Sequence, residues 1–204
     1  MRYDIVTLTI RPSTAGKVVP AIDAWSADAA AQGKLMGCWT GDVGELNSII
    51  LLREFADDAA LQSERLRTWS AANPFGCGDA ISKMRFESYA PFAWAQPLPP
   101  GRYGKVYEFR TYWLNQGGLG PTSDLWEAAV PDRIKLSPMV MAMYALDGRS
   151  RFTHIWPYPS ADVRAAVRAE GVTKGIWPPK GGQAFLTGEM RSTLELPTAI
   201  SSLA

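Results

Sequence analysis

One histidine and two cysteines in 204 residues leave little material for metal or redox chemistry. His154, being alone, cannot form an HxH, HxxxH or two-histidine-one-carboxylate set, so no transition-metal site is expected. Cys38 and Cys77 lack the paired spacing of zinc and redox motifs and read as buried, reduced thiols. An excess of charge is missing as well, since 21 Lys and Arg face 20 Asp and Glu for a net charge of +1. That balance supplies no basic stripe for nucleic acid. No apolar run approaches the ~20 residues of a membrane-crossing helix, and no basic segment leads into an apolar one at the start. A membrane span and a signal peptide are therefore not expected, and the compartment predicted is the cytoplasm. There is no GxSxG elbow, and neither cysteine has a base beside it in sequence. Gly117-Gly118-Leu119-Gly120 lacks both the Walker lysine and the GxGxxG spacing, so it reads as a flexible turn and no cofactor is expected.

What the chain does have is a repeat. Tyr107-Glu108-Phe109-Arg110-Thr111-Tyr112-Trp113 alternates like a strand with two different faces. A weaker copy, Tyr3-Asp4-Ile5-Val6-Thr7-Leu8-Thr9, opens the chain. A shift of 104 lays Tyr3 on Tyr107, Thr7 on Thr111, Gly16 on Gly120 and Asp28 on Asp132, and a shift of 103 lays Phe55 on Tyr158 and Arg65 on Arg168. Units of this length are too long for a solenoid array and read as two copies of one small domain.

Each copy follows the same order. The first runs from a strand into an amphipathic helix at about 14–32, with Gly33 as its cap, and then a hairpin over Lys34–Thr40 and Asn47–Phe55. A helix starting at Asp57-Asp58 and a strand over Ile81–Tyr89 complete it. The second copy has a strand at Val106–Trp113, a helix at about Thr122–Lys135, a hairpin of Met139–Leu146 and Arg151–Tyr158, a short helix stopped by Gly171, and a last strand at Ala184–Leu194. The predicted division is a first repeat over 1–90, a proline-rich linker over 91–104, a second repeat over 105–197 and a frayed tail over 198–204.

A β-α-β-β-α-β unit is the ferredoxin-like arrangement, an antiparallel sheet with both helices on one face. Its bare face needs cover, and the tandem copy supplies an identical sheet within the same chain. The predicted class is therefore α+β, with two ferredoxin-like repeats packed sheet to sheet into a barrel. On this reading Glu108, Arg110 and Tyr112 point into the barrel, where Glu108 and Arg110 neutralise each other or engage a cross-strand partner.

Tyr107-Glu108-Phe109-Arg110-Thr111-Tyr112, followed by His154-Ile155-Trp156-Pro157-Tyr158, resembles the NIPSNAP family pattern of a YELRTY-type strand and then an HLWxY-type strand. The resemblance spans both repeats and is strong in the second. In the first, Leu46-Asn47 and Phe55 fit, whereas Asp4-Ile5-Val6 and Leu51-Leu52-Arg53 depart. The resemblance implies a dimeric alpha-beta barrel, here a fused pair, with a cavity between the sheets and further pairing of whole chains. Relatives with that barrel include cofactor-free monooxygenases, haem-degrading enzymes and isomerases, and for NIPSNAP proteins themselves it implies roles in vesicle transport or mitochondrial signalling.

Two function readings follow. In the first, the barrel takes a small, partly aromatic organic molecule, with His154 as proton shuttle, Glu108 and Arg110 as polar anchors, and Tyr112, Trp156 and Tyr158 as walls, the reaction being a metal-free oxidation. In the second, His154 is a half-buried histidine bonded to a neighbour, the polar groups form a satisfied internal network, and the chain is a non-catalytic interaction or scaffold protein.

Overall fold

The computed structural model describes the whole chain, Met1–Ala204. The first repeat comprises β1 (Arg2–Ile10), α1 (Ala15–Ser26), β2 (Lys34–Val43), β3 (Ser48–Phe55), α2 (Asp58–Ser70) and β4 (Ile81–Pro91). The second comprises β5 (Val106–Leu114), α3 (Leu119–Arg133), β6 (Met141–Ala145), β7 (Arg151–Tyr158), α4 (Ala161–Thr173) and β8 (Leu186–Pro197). Each repeat forms an antiparallel sheet in which its first strand lies between its third and fourth. The pairings β2–β8 and β4–β6 then join the sheets, so that eight strands close in the order β1-β3-β2-β8-β5-β7-β6-β4. Closure leaves no edge strand with unpaired backbone groups. The fold is α+β, two ferredoxin-like repeats sharing one barrel, and no helix is long and apolar enough to cross a membrane.

Local chemistry sets the helix ends. The Asp57 side chain accepts from the amide of Ala60 at 2.9 Å and Ser160 from that of Val163 at 3.2 Å, capping α2 and α4. Helix α1 stops at Ser26, short of the expected end, because the Asp28 carboxylate accepts from the amide of Ala30 at 2.7 Å and turns the chain. Gly33 is accordingly no cap; it sits where a side chain would run into the ring of Phe55. Helix α4 continues through Gly171 to Thr173. There the missing side chain lets Trp177 pack close by, and the amides of Ile176 and Trp177 bond to the Gly171 carbonyl.

The segment after Pro197 is docked and not frayed. Leu203 is fully buried, its carbonyl accepts from the hydroxyl of Tyr107, and Ser202 Oγ donates to the Met36 carbonyl at 2.5 Å.

The expected face of β5 is the opposite of the one the structure shows. Phe109 and Thr111 point inward with Ile5, Thr7, Ile50, Thr153 and Thr193 around them, and Trp39 packs on Tyr107 and Phe109 at 5.4 and 5.1 Å. Glu108, Arg110, Tyr112, His154, Trp156 and Tyr158 lie on the outer face of β5 and β7, beneath α3 and α4. The physical reason is charge pairing. α4 brings Arg164 and Arg168 onto Glu108, while the barrel interior needs the aromatic face for packing against the facing sheet. The cavity expected between the sheets is filled, with about 20 Å³ of space left inside, room for one water-sized group.

Candidate functional site

The antiparallel register of β5 and β7 sets Glu108 opposite Trp156, Arg110 opposite His154, and Tyr112 opposite Phe152. Cross-strand pairs share a face, so a strip of charged and aromatic groups runs along the outer wall. α4 crosses this strip with Arg164 and Arg168 four residues apart, hence on one side of the helix. Their guanidiniums reach the same carboxylate as Arg110. The contacts to Glu108 are 2.5 Å from Arg164, 2.6 Å from Arg110 and 3.5 Å from Arg168, with the Ser192 hydroxyl donating at 2.9 Å. Burial by itself would raise the pKa of Glu108, but the bond from Arg164 and the charges of Arg110 and Arg168 outweigh it and bring the value down to about 2.

Arg110 Nε also donates to the Tyr112 hydroxyl at 2.6 Å, which leaves that hydroxyl its own proton to give. Arg133, from α3, donates to the Tyr158 hydroxyl at 3.0 Å and lies 4.2 Å from the ring of Trp156.

His154 is 1% exposed. Its Nδ1 accepts from Trp156 Nε1 at 2.6 Å, and since an indole can only donate, Nδ1 carries no proton. Burial first, and the charge of Arg110 second, hold the ring neutral by pushing its pKa well below the ordinary value. The proton therefore sits on Nε2, which has no partner. The expected proton shuttle presents a hydrogen-bond donor and not a free base. The rings of Trp126 and Tyr112 hold it in place at 4.6 and 5.0 Å.

Beside the strip, between α4, the outer face of β5 and β8, and the segment from Lys174 to Leu186, lies an open cleft of about 600 Å³. Arg110, Arg168 and Tyr112 form its polar wall and Val172, Trp177, Leu186 and Met190 its apolar one, with Gln183 between. A recess of about 40 Å³, bordered by Tyr112, Thr122, Trp126 and Trp177, continues behind it. Thr122 Oγ1 is buried there without a partner.

All six residues singled out from sequence thus converge, though outside the barrel. Only Arg110 and Tyr112 of the six border the cleft; Glu108 and His154 lie behind it, and Trp156 and Tyr158 pack under α3. Arg164, Arg168, Arg133 and Gln183 had not been singled out. The spacing Arg164-x-x-x-Arg168 on a short helix over an acidic strand residue was the available signal.

A family profile described as NIPSNAP matches residues 3–96 and 107–202. The chain belongs to the NIPSNAP family. A NipSnap homolog of Dictyostelium discoideum is 26% identical over 147 residues, covering 70% of this chain and 65% of the relative, so the match spans just under two thirds of that protein's length. Among solved structures, a Lactobacillus acidophilus protein provisionally called a monooxygenase superposes with a TM-score of 0.70 at 12% identity, covering 96% of this chain and 93% of its own. An anthrone oxidase-like protein follows at 0.68 and 12% identity, covering 97% and 91%. At such identities the likeness is one of fold.

The two NIPSNAP repeats differ at the equivalent place. In the first, Asp4 stands for Glu108, and Arg53 binds it through Nε at 3.0 Å and Nη2 at 2.7 Å. Arg53 also meets Glu64 at 3.2 Å, and Glu64 meets Arg67 at 2.8 Å. That network closes with two carboxylates for two guanidiniums. The network of the second NIPSNAP repeat has one carboxylate for three.

Proposed function

We propose that this NIPSNAP protein binds a small, partly aromatic organic anion in the cleft beneath α4 of the second repeat. The observation that carries the reading is the charge imbalance. Glu108 serves three guanidiniums, and two of them, Arg110 and Arg168, face the cleft. Partly buried positive charge without a partner is costly, and a carboxylate or phenolate on a ligand offsets it through charge-assisted hydrogen bonds. Trp177, Leu186 and Met190 offer apolar walls for the rest of such a molecule, while Tyr112 and Gln183 offer donors. Metal-free oxygenation is the reaction class within this reading, its electrons coming from the bound anion.

The test is a thermal-shift and ligand-observed NMR screen of aryl carboxylates, phenols and their neutral analogues. Anionic aromatics should raise the unfolding midpoint, and Arg168→Ala should weaken their binding by about tenfold or more, the worth of one charge-assisted bond. Oxygen consumption with the best binder then separates turnover from binding alone. If neutral and anionic analogues bind equally, or Arg168→Ala changes nothing, the reading is wrong. The filled barrel favours a second reading, a non-catalytic interaction domain, which predicts no selective binder in the screen.

A further inference from the structure

The barrel interior holds a carboxylate that the cleft does not use. Glu195, on β8, is fully buried, and neither of its oxygens has a hydrogen-bond partner. It borders the remaining space of about 20 Å³ inside the barrel. The neighbouring Thr193 hydroxyl favours its charged form from outside bonding geometry.

The other charges in this part of the barrel are already matched. Arg85 reaches Glu45 at 3.0 Å and Glu87 at 3.4 Å, and Arg191 reaches the same two at 3.7 and 3.4 Å. Arg151 adds a contact to Glu87 at 3.2 Å and has a carboxylate of its own in Asp147 at 2.8 Å. Around Glu195 itself, Asp42 and Glu45 from β2 and its hairpin disfavour a negative charge, Arg191 on its own strand favours one, and the hydroxyl of Tyr107, its partner on β5, is committed to Leu203. Glu195 is the acid left over.

A group completing this site must carry one positive charge, occupy about the volume of a water molecule and accept oxygen ligands. No three His, Cys, Asp or Glu side chains stand together as a multidentate metal site needs, which argues against a divalent ion. We propose that the barrel interior binds one monovalent cation of ammonium or potassium size, held by the Glu195 carboxylate with the Thr193 hydroxyl beside it. Entry is through the end of the barrel ringed by Glu45, Arg85 and Arg191, each of which is partly exposed. The cation competes with a proton for the same oxygens, so binding strengthens with pH. The proposal does not depend on the cleft or its ligand.

Unfolding midpoints of the full chain decide it, measured in potassium, ammonium, sodium and tetramethylammonium chloride at an equal ionic strength of about 0.1 M, where surface charges are largely screened. At about pH 8.5 potassium or ammonium should raise the midpoint by roughly 3 °C or more over tetramethylammonium, which is too large for the space. The advantage should shrink at about pH 6, as the proton takes over, and vanish in Glu195→Gln. A response to one of the two ions and not the other identifies the occupant. Equal midpoints in all four salts mean that Glu195 holds only a proton and overturn the proposal, as does an ion-specific rise that persists in Glu195→Gln. Should that variant fail to fold, Thr193→Val replaces it, with a reduced potassium or ammonium effect expected and an unchanged one counting against the site.

Discussion

Replacing Glu108 by Gln keeps the shape of the side chain and removes the one negative charge among Arg110, Arg164 and Arg168. The carboxyl is fully buried and its pKa falls from an ordinary 4.5 to about 2. That difference corresponds to about 3 kcal/mol of interaction favouring the charged form. Because the folded value lies below the unfolded one, this stability is fully present above about pH 4.5 and is lost as the pH falls toward about 2. The guanidiniums left behind are partly exposed, with side chains 13%, 24% and 36% accessible, so water recovers some of the loss. A net destabilisation of about 2–3 kcal/mol at about pH 7 is expected. Urea unfolding of wild type and Glu108→Gln in steps from about pH 7 to about pH 2.5 reads it directly. The gap should narrow to about 1 kcal/mol or less at the acid end, as the unfolded carboxyl takes up its proton and the folded one begins to. A gap below about 1 kcal/mol at neutral pH, or one that does not change with pH, would mean that desolvation cancels the attraction. The charge argument for the cleft would then fall with it.

Glu195 should behave in the opposite sense. Burial raises its pKa from 4.5 to about 8, so in a buffer with only large cations wild type should lose about 3 kcal/mol relative to Glu195→Gln between about pH 4.5 and pH 7, and level off above about pH 8. A flat difference in urea midpoints across that range would contradict it. His154 should show no titration of its Cε1 proton shift from about pH 8 down to about pH 5, because burial and Arg110 hold the ring neutral; an inflection near its ordinary value would show the ring to be solvated. Ending the chain after Pro197 removes Leu203 and the bonds from Tyr107 and Ser202, and should lower stability by about 2–4 kcal/mol in a denaturant titration. An unchanged midpoint would mean that the segment is not part of the core.

The β-α-β-β-α-β order was legible because it rests on local signals: two-residue alternation, Asp57-Asp58 at a helix start, and glycine-marked turns. Which face of β5 turns inward was not legible. Its two faces, Tyr107-Phe109-Thr111 and Glu108-Arg110-Tyr112, each mix aromatic and polar groups, so alternation alone does not choose. The choice is made by residues far along the chain, with Arg164 reaching Glu108 from 56 positions away and Trp39 packing on Phe109. His154 was singled out because it is the only one of its kind, yet its protonation depends on the bond from Trp156, which fixes the tautomer. The early end of α1 at an aspartate turn and the docking of Leu203 each turn on a partner that no periodicity reveals.

Joining the two repeats in one polypeptide has a consequence for what the barrel can become. When two identical subunits share a barrel, every substitution appears twice, and a residue that improves one half is imposed on the other. Here Asp4 and Glu108 occupy matching positions but mutate independently. One half settled into the neutral pairing of Arg53 and Arg67 with Asp4 and Glu64, while the other kept a surplus of cations beside an open cleft. For the anion proposed above, division of labour of this kind predicts a stoichiometry of one per chain, half of what the symmetry of the fold would suggest.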